Sequence, residues 1–439
     1  MITGDPVASP ANAGVPPNTE AQAKVGNFRW FICGLLFYAT TVNYMDRVVM
    51  GILKTTIAKE LHWTDDDYGT ITAVFQFGYA LMLPIAGRVI DWLGIRIGYT
   101  LAVLVWGLSS IAHAFAGNIL QFSIFRLGLG LGEAANFPAA IKTVADWFPR
   151  KERALATGIF NSGTNVGALI APLIIPVVVD RFGWHAAFLV TGSFSLSWII
   201  VWLLFYREPE KNPRLSSSEL KFIRSDGHED STVKIPYATL LSKKSSWAFL
   251  IAKFFTDPVW WFYLFWIPGF LQTKYHINLL QTGPPLFAIY LAADVGSIGG
   301  GWMSSALLKS GWELARARKT TMFIFAIGAM AITFVPFTGG NLWLTVALIG
   351  IAAGSHQGWS ANVFTMASDC FPRKAVGSVV GLGGMGGAIG GIIVSKAIGK
   401  WLTISNEAYA PLFFIAGSMY LFSLLIVHLI LPRFKQESF

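Results

Sequence analysis

Apolar residues along this chain come in blocks of about twenty, each long enough for a helix to cross a hydrocarbon core roughly 30 Å thick. Twelve blocks are legible, near 28–51, 68–90, 97–116, 119–143, 154–178, 184–206, 246–272, 283–308, 319–338, 341–368, 376–400 and 408–431. They predict an all-α polytopic membrane protein with twelve transmembrane helices. The first block is interrupted: in "TTVNYMDRVVM", Thr40 to Met50, the apolar run holds Asn43, Tyr44, Asp46 and Arg47. Each Asp or Arg at a helix centre costs about 2.5–3.5 kcal/mol on insertion scales. Such residues persist where they line a cavity, pair with one another or lie shallow enough to snorkel.

The longest connection, 207–245, is charged and contains Ser and Pro ("REPEKNPRLSSSELKFIRSDGHED"). It divides the spans into an N-terminal six-helix unit, 28–206, and a C-terminal one, 246–431, with tails at 1–27 and 432–439. The halves repeat one another. "DWFPRKERA", from Asp146, and "DCFPRKAVG", from Asp369, stand 223 residues apart, and the same offset carries Arg96 onto Lys319. Two landmarks at one offset indicate a duplicated unit. The second copy has lost one acidic group, because Asp91 maps to Leu314.

Composition agrees with a membrane chain: 54% of the residues are hydrophobic, 13% charged, and mean hydropathy is +0.54, where a soluble domain carries about a quarter charged residues. The net charge of +9 does not point to nucleic acid, because most Lys and Arg fall in connections on the side that holds both termini. The opposite side holds only Lys54, Lys59, Arg181, Lys274 and Lys400. The positive-inside rule then puts both termini in the cytoplasm. The first 25 residues have no apolar core and read as a disordered tail rather than a cleaved signal. Cys33 and Cys370 make neither a disulfide framework nor a metal cluster.

"GRVIDWLGIR" resembles the loop between the second and third helices of the major facilitator superfamily, with Trp92 where that pattern has a basic residue. "NYMDR", "RLGLGLGEAANFPAAIKTVADWFPRKERA" and "FNSGTNVGALIAP" resemble the anion:cation symporter family and, within it, the hexuronate transporters, as do "DPVWWFYLFWIPGFL" and "GSHQG" in the second half. The resemblance covers about residues 28–431 and implies two pseudo-symmetric six-helix bundles around a central cavity. It also implies that the first-helix Arg47 takes the substrate carboxylate, that Asp46 and Glu133 handle protons, and that Arg126 couples them.

The residues by themselves carry a similar reading. Arg126 and Glu133 lie two turns apart on one face of span four, either as an inert ion pair or as a proton-accepting carboxylate tuned by a guanidinium. Asp46 and Arg47 point about 100° apart, so one can face a cavity and the other a neighbouring helix. They lie in the outer half of a span ending near residue 51, where snorkelling to the surface remains the alternative. Arg47 presents a planar fork suited to a carboxylate. The offset places His356 opposite Glu133, and His356, Gln357 and Asn362 are hydrogen-bonding groups suited to sugar hydroxyls. Tyr44, Gln76, Tyr79, Asn161 and Asn165 are further candidates for the cavity wall. Lys253, Asp257 and Asp294 read as a structural or secondary polar network. Trp260 and Trp261 are candidates to stack on a sugar. Gly87, Asp91, Gly94 and Arg96 form a conformational latch at the cytoplasmic helix ends. The glycine run "GLGGMGGAIGGI" lacks the Lys-Ser/Thr ending of a phosphate loop and serves close helix approach.

The expected function is proton-coupled import of a sugar acid, glucuronate or galacturonate in the first place, by alternating access of a monomer. No cofactor or metal is expected, the proton being the coupling ion, and the partners are an organic anion and the bilayer. The same machine carrying an aldonate, aromatic acid or dicarboxylate is the nearest alternative. A sensor lacks an output domain, and an enzyme lacks a nucleophile–base set.

Overall fold

The structure, a computed structural model, describes residues 25–225, 235–435 and 437. The first half runs α1 (Phe28–Leu61), α2 (Asp65–Leu93), α3 (Ile95–His113), α4 (Ile119–Glu133), α5 (Asn136–Trp147), α6 (Arg150–Phe182) and α7 (Trp184–Phe205). Two short helices, α8 (Ser217–Ile223) and α9 (Tyr237–Leu241), lie in the connection. The second half runs α10 (Lys244–Phe265), α11 (Ile267–Tyr275), α12 (Leu279–Lys309), α13 (Leu314–Ala329) with a 3₁₀ continuation Met330–Phe337, α14 (Leu342–Cys370), α15 (Arg373–Ile404) and α16 (Ala410–Ile430). Paired as α4–α5, α10–α11 and α13 with its continuation, these make twelve spans. Packing repeats between the halves: α1 lies on α6 as α10 lies on α15, α2 on α4 as α12 on α14, and α3 on α7 as α13 on α16.

Three departures from the expected spans bear on function. The first helix does not stop near residue 51 but continues to Leu61, where His62 caps it in the left-handed region. At 34 residues it is about 51 Å long, which brings Asp46 and Arg47 to mid-depth. Spans four and seven each break at their middle, and proline explains both breaks. Pro138 lacks the N–H that would bond the Ala134 carbonyl, and the chain turns at Ala134–Ala135, just after Glu133. Pro268 likewise frees the Leu264 carbonyl, and the helix restarts at Ile267. Next to it, the Phe265 carbonyl accepts the Tyr68 hydroxyl at 2.8 Å.

Helix starts follow local chemistry. Thr64 and Asp67 form a capping box for α2, Asn278 and Gln281 one for α12, and Asn118 and Asn341 cap α4 and α14. The connection is anchored to the first half by Glu219, which accepts the backbone N–H groups of Phe28 and Arg29 and the Arg29 guanidinium. Arg29 also holds Glu152 at 2.7 Å.

The halves meet closely at the end away from this connection. A Cβ on Gly51 would stand 2.2 Å from the Leu264 carbonyl oxygen, and one on Gly69 would stand 2.7 Å from that of Ser395. Gln272 donates to the Ile52 carbonyl, Lys396 pairs with Asp66 at 2.8 Å, and the Asp66 N–H bonds Thr403. Lys54 pairs with Asp65 beneath Trp266, whose ring centroid lies 4.7 Å from the ammonium. At the other end, charged groups pair inside their own halves: Lys142 with Asp91, and Arg318 with Asp369 at 2.9 Å. The site is therefore shut from the far end. Gly69→Leu is expected to wedge that end apart and to raise, several-fold, labelling of a Gln272→Cys reporter by a membrane-impermeant thiol reagent. Unchanged labelling would show that this seam does not govern closure.

Candidate functional site

Several candidate residues fall near the midpoints of their own spans: Asp46 on α1, Tyr79 on α2, Glu133 at the end of α4 in the α4–α5 span, Asn165 on α6, Asp294 on α12 and His356 on α14. Trp260 and Trp261 stand near the middle of the α10–α11 span. The site is thus a layer at mid-depth, where water is scarcest and an unpaired charge is most costly.

Its centre is Arg47. The guanidinium donates from Nε at 3.0 Å and from Nη2 at 2.7 Å to one oxygen, Oε2, of Glu133. Four rings wall it in: Tyr44 at 4.8 Å, Tyr79 at 4.9 Å, Trp261 at 5.2 Å and Phe75 at 5.6 Å from centroid to guanidinium carbon. Trp261 comes from the second half, so the cage closes across the seam. Glu133 is therefore bound to Arg47 rather than to Arg126, the partner its helix face suggests. Glu133 Oε1 and Arg126 Nε and Nη2 are buried without hydrogen-bond partners. Arg126 lies two turns from Glu133 toward the sealed end, its guanidinium carbon 5.7 Å from the same Phe75 ring. Asn43, one turn before Arg47, is fully buried with both amide atoms unpartnered. It is a site residue the candidate set lacks, and its signal is an amide in the middle of a span.

Asp46 faces the other way, into the packing of α3 and α7. It accepts Ser110 Oγ at 2.6 Å and Ser195 Oγ at 2.9 Å, and Ser195 in turn accepts the Trp106 indole N–H at 2.8 Å. Two neighbouring residues thus serve two surfaces of α1, and the snorkelling alternative does not hold, because both side chains are buried at mid-depth.

The remaining candidates divide. Asn161 is exposed and Asn165 half-buried on α6, with Asn165 Oδ1 accepting the Thr164 hydroxyl. Gln76 is fully buried and donates to Ser395 Oγ at 3.2 Å, so its amide ties α2 to α15 across the seam. Asn362 spends its amide N–H groups on the Gly300 and Gly358 carbonyls, joining α14 to α12 rather than facing open space. His356 stacks on Trp260, centroids 5.1 Å apart and planes at 7°, with Nδ1 2.8 Å from the Tyr420 hydroxyl. Gln357 is half-buried, and its side chain makes no hydrogen bond among the described residues. Lys253 Nζ holds Asp257 Oδ2 at 2.9 Å, and Asp294 is half-buried. In the latch segment Gly94 has φ +75, which L side chains rarely adopt. Gly87 has open space where a Cβ would stand, Asp91 takes Lys142, and Arg96 caps the Leu203 carbonyl at 2.7 Å. In this conformation Asp91 and Arg96 bond Lys142 and the Leu203 carbonyl of the first half, and Arg88 lies over the Tyr237 ring of the connection.

A guanidinium whose charged partner among the described residues is one buried carboxylate can exchange that partner for another anion when the carboxylate takes a proton. Two repeated helical bundles meeting around such a group at mid-depth define a multi-pass membrane transporter. The chain belongs to the Major Facilitator Superfamily, whose family model matches residues 36–395; it is a transporter, not an enzyme. It is 29% identical over 417 residues to the hexuronate transporter of Escherichia coli K12, covering 93% of this chain and 95% of that one. It is 30% identical over 422 residues to the probable galactarate/D-glucarate transporter of the same organism, covering 91% and 94%. Among solved structures, a D-xylose–proton symporter matches 94% of this chain and all of its own, at a TM-score of 0.72 and 14% identity, a likeness of fold.

Proposed function

We propose that this chain imports a sugar acid with one carboxylate, a hexuronate in the first place, together with protons across a bacterial inner membrane, both termini facing the cytoplasm. The observation that carries the reading is the Arg47–Glu133 contact, in which both donors of the guanidinium fork meet a single carboxylate oxygen inside an aromatic cage. Proton uptake by Glu133 from the outer side removes the competing charge. Arg47 then takes the substrate carboxylate as a bidentate pair, while the rings of Tyr44, Tyr79 and Trp261 pack on the sugar and Asn161 and Asn165 bond its hydroxyls. The conformation shut at the outer end, with Glu133 back on Arg47, is the inward-facing state after release. Asp46 serves as a second proton site within the first bundle, Arg126 supplies positive potential to both carboxylates, and the proton is the only coupling ion.

The names of the relatives support a sugar acid. A second reading, a sugar acid with a carboxylate at each end, is favoured by the unpartnered Arg126 donors. The test is counterflow and pH-driven uptake in proteoliposomes against a panel of hexuronates, aldonates, aldarates and aromatic acids. Hexuronates are expected to exchange at the lowest concentration, and an inward proton gradient is expected to drive their accumulation. Exchange of aldarates alone would favour the second reading, and hexuronate accumulation indifferent to the gradient would remove proton coupling.

A further inference from the structure

The Lys253–Asp257 ion pair on α10 takes no part in the exchange at Arg47. We propose that Lys253 and Asp257 read the end of the substrate remote from Arg47, and that Asp257, by neutralising Lys253, sets the site to accept one carboxylate rather than two. The inference rests on the sugar-acid reading.

Lys253, Asp257 and Trp261 stand at four-residue intervals and so share one face of α10. Trp261 caps the Arg47 guanidinium at 5.2 Å. Asp257 is one turn from it, about 6 Å along the axis, and Lys253 is two turns, about 12 Å, both toward the end of the molecule that is not sealed. A six-carbon sugar acid is about as long as one to two helical turns. With its carboxylate on Arg47, its far end reaches this pair. The pair is enclosed by α14 and α15 and shares its face of α10 with Trp261, which reaches across the seam to Arg47. Asp257 Oδ2 occupies the place a Cβ on Gly387 of α15 would take. The ammonium is held in place 4.4 Å from the Phe364 ring centroid, and the two side chains keep 9% and 19% of their exposure.

The chemistry of the pair is specific. At 2.9 Å the two charges cancel at any distance beyond a few ångströms, leaving N–H donors and carboxylate acceptors suited to hydroxyls. A second carboxylate would meet Asp257 as closely as Lys253, so repulsion offsets attraction and rejects it. Arg126 lies on the opposite, sealed side of Glu133, so a substrate whose far end points toward α10 would not bring its second carboxylate to it. Removing the Asp257 charge would therefore create, about two helical turns from the Trp261 ring that caps Arg47, a free ammonium for the second carboxylate.

The experiment uses the full chain in proteoliposomes, with labelled hexuronate in counterflow and unlabelled hexuronate or aldarate as competitors. Exchange by the unaltered protein checks the function reading separately: if it exchanges no hexuronate, that reading fails before this one is tested. In Asp257→Asn the ratio of half-inhibiting concentrations, aldarate over hexuronate, is expected to fall about tenfold or more, with hexuronate itself weakened several-fold. In Lys253→Gln/Asp257→Asn, which leaves no unpaired buried charge, the aldarate gain is expected to vanish while hexuronate stays weakened. A ratio unchanged within about twofold in monodisperse Asp257→Asn protein would overturn the proposal. Where that variant does not fold, the double variant decides: hexuronate affinity equal to that of the unaltered protein overturns the proposal as well.

Discussion

Arg47→Lys is expected to weaken substrate binding by about 30–100-fold, equivalent to roughly 2–3 kcal/mol, while the protein still folds and inserts. Lysine keeps the positive charge that Glu133 needs, so the bundle is not left with an uncompensated buried carboxylate, a loss that costs about 3–5 kcal/mol. What it cannot keep is the fork. Nε and Nη2 of Arg47 reach the same Glu133 oxygen together, and a planar group fits between the Tyr44, Tyr79 and Trp261 rings in a way that a tetrahedral ammonium on a flexible stem does not. The variant therefore separates geometry from charge. The measurement is half-saturation of hexuronate counterflow alongside thermal stability in detergent. Near-normal affinity in a stable protein would mean that the carboxylate is held elsewhere.

Hydrophobic blocks made the twelve spans legible, because a bilayer leaves a chain few other ways to satisfy its backbone. The internal repeat made the two halves legible. Boundaries were less so. Residues 52–61 of α1 carry Lys54, Lys59 and Glu60, which look like a surface connection in one dimension; in the structure Lys54 is buried against Asp65 and Trp266. The breaks in spans four and seven had a readable sign in Pro138 and Pro268, which a window of average hydropathy passes over.

Within the site, periodicity could say that Arg126 and Glu133 share a face, but it could not say which neighbouring helix would bring a competing cation to that face. Arg47 sits close enough to give two hydrogen bonds, whereas Arg126 is two turns away. The same limit hid the partners of Asp46, since Ser110 and Ser195 are unremarkable in sequence and become a carboxylate site only when α3 and α7 pack against α1. Gln76 and Asn362 show the converse. An amide in a span is rare enough to attract attention, yet Gln76 bonds Ser395 across the seam and Asn362 bonds helix carbonyls. Their residue types were informative about burial and silent about use.

The exchange of partners at Arg47 makes Glu133→Gln the sharpest test of coupling. Glutamine retains an oxygen that can accept from Arg47 but carries no charge at any pH, so it holds the site as a protonated Glu133 would. Arg47 is then available to the substrate in both orientations of the bundles. Counterflow, which needs only loaded carriers to reorient, is expected to persist and to lose much of its pH dependence. Accumulation driven by a proton gradient is expected to disappear, because the carrier no longer has to gain a proton outside and lose it inside for Arg47 to change partners. The two readings come from one preparation of proteoliposomes, so poor reconstitution would depress both while uncoupling depresses only the second. Gradient-driven accumulation that survives in Glu133→Gln would transfer the proton to Asp46. That carboxylate's two serine hydroxyls and its position one residue from Arg47 would then have to pass its charge state across α1 rather than through a shared hydrogen bond.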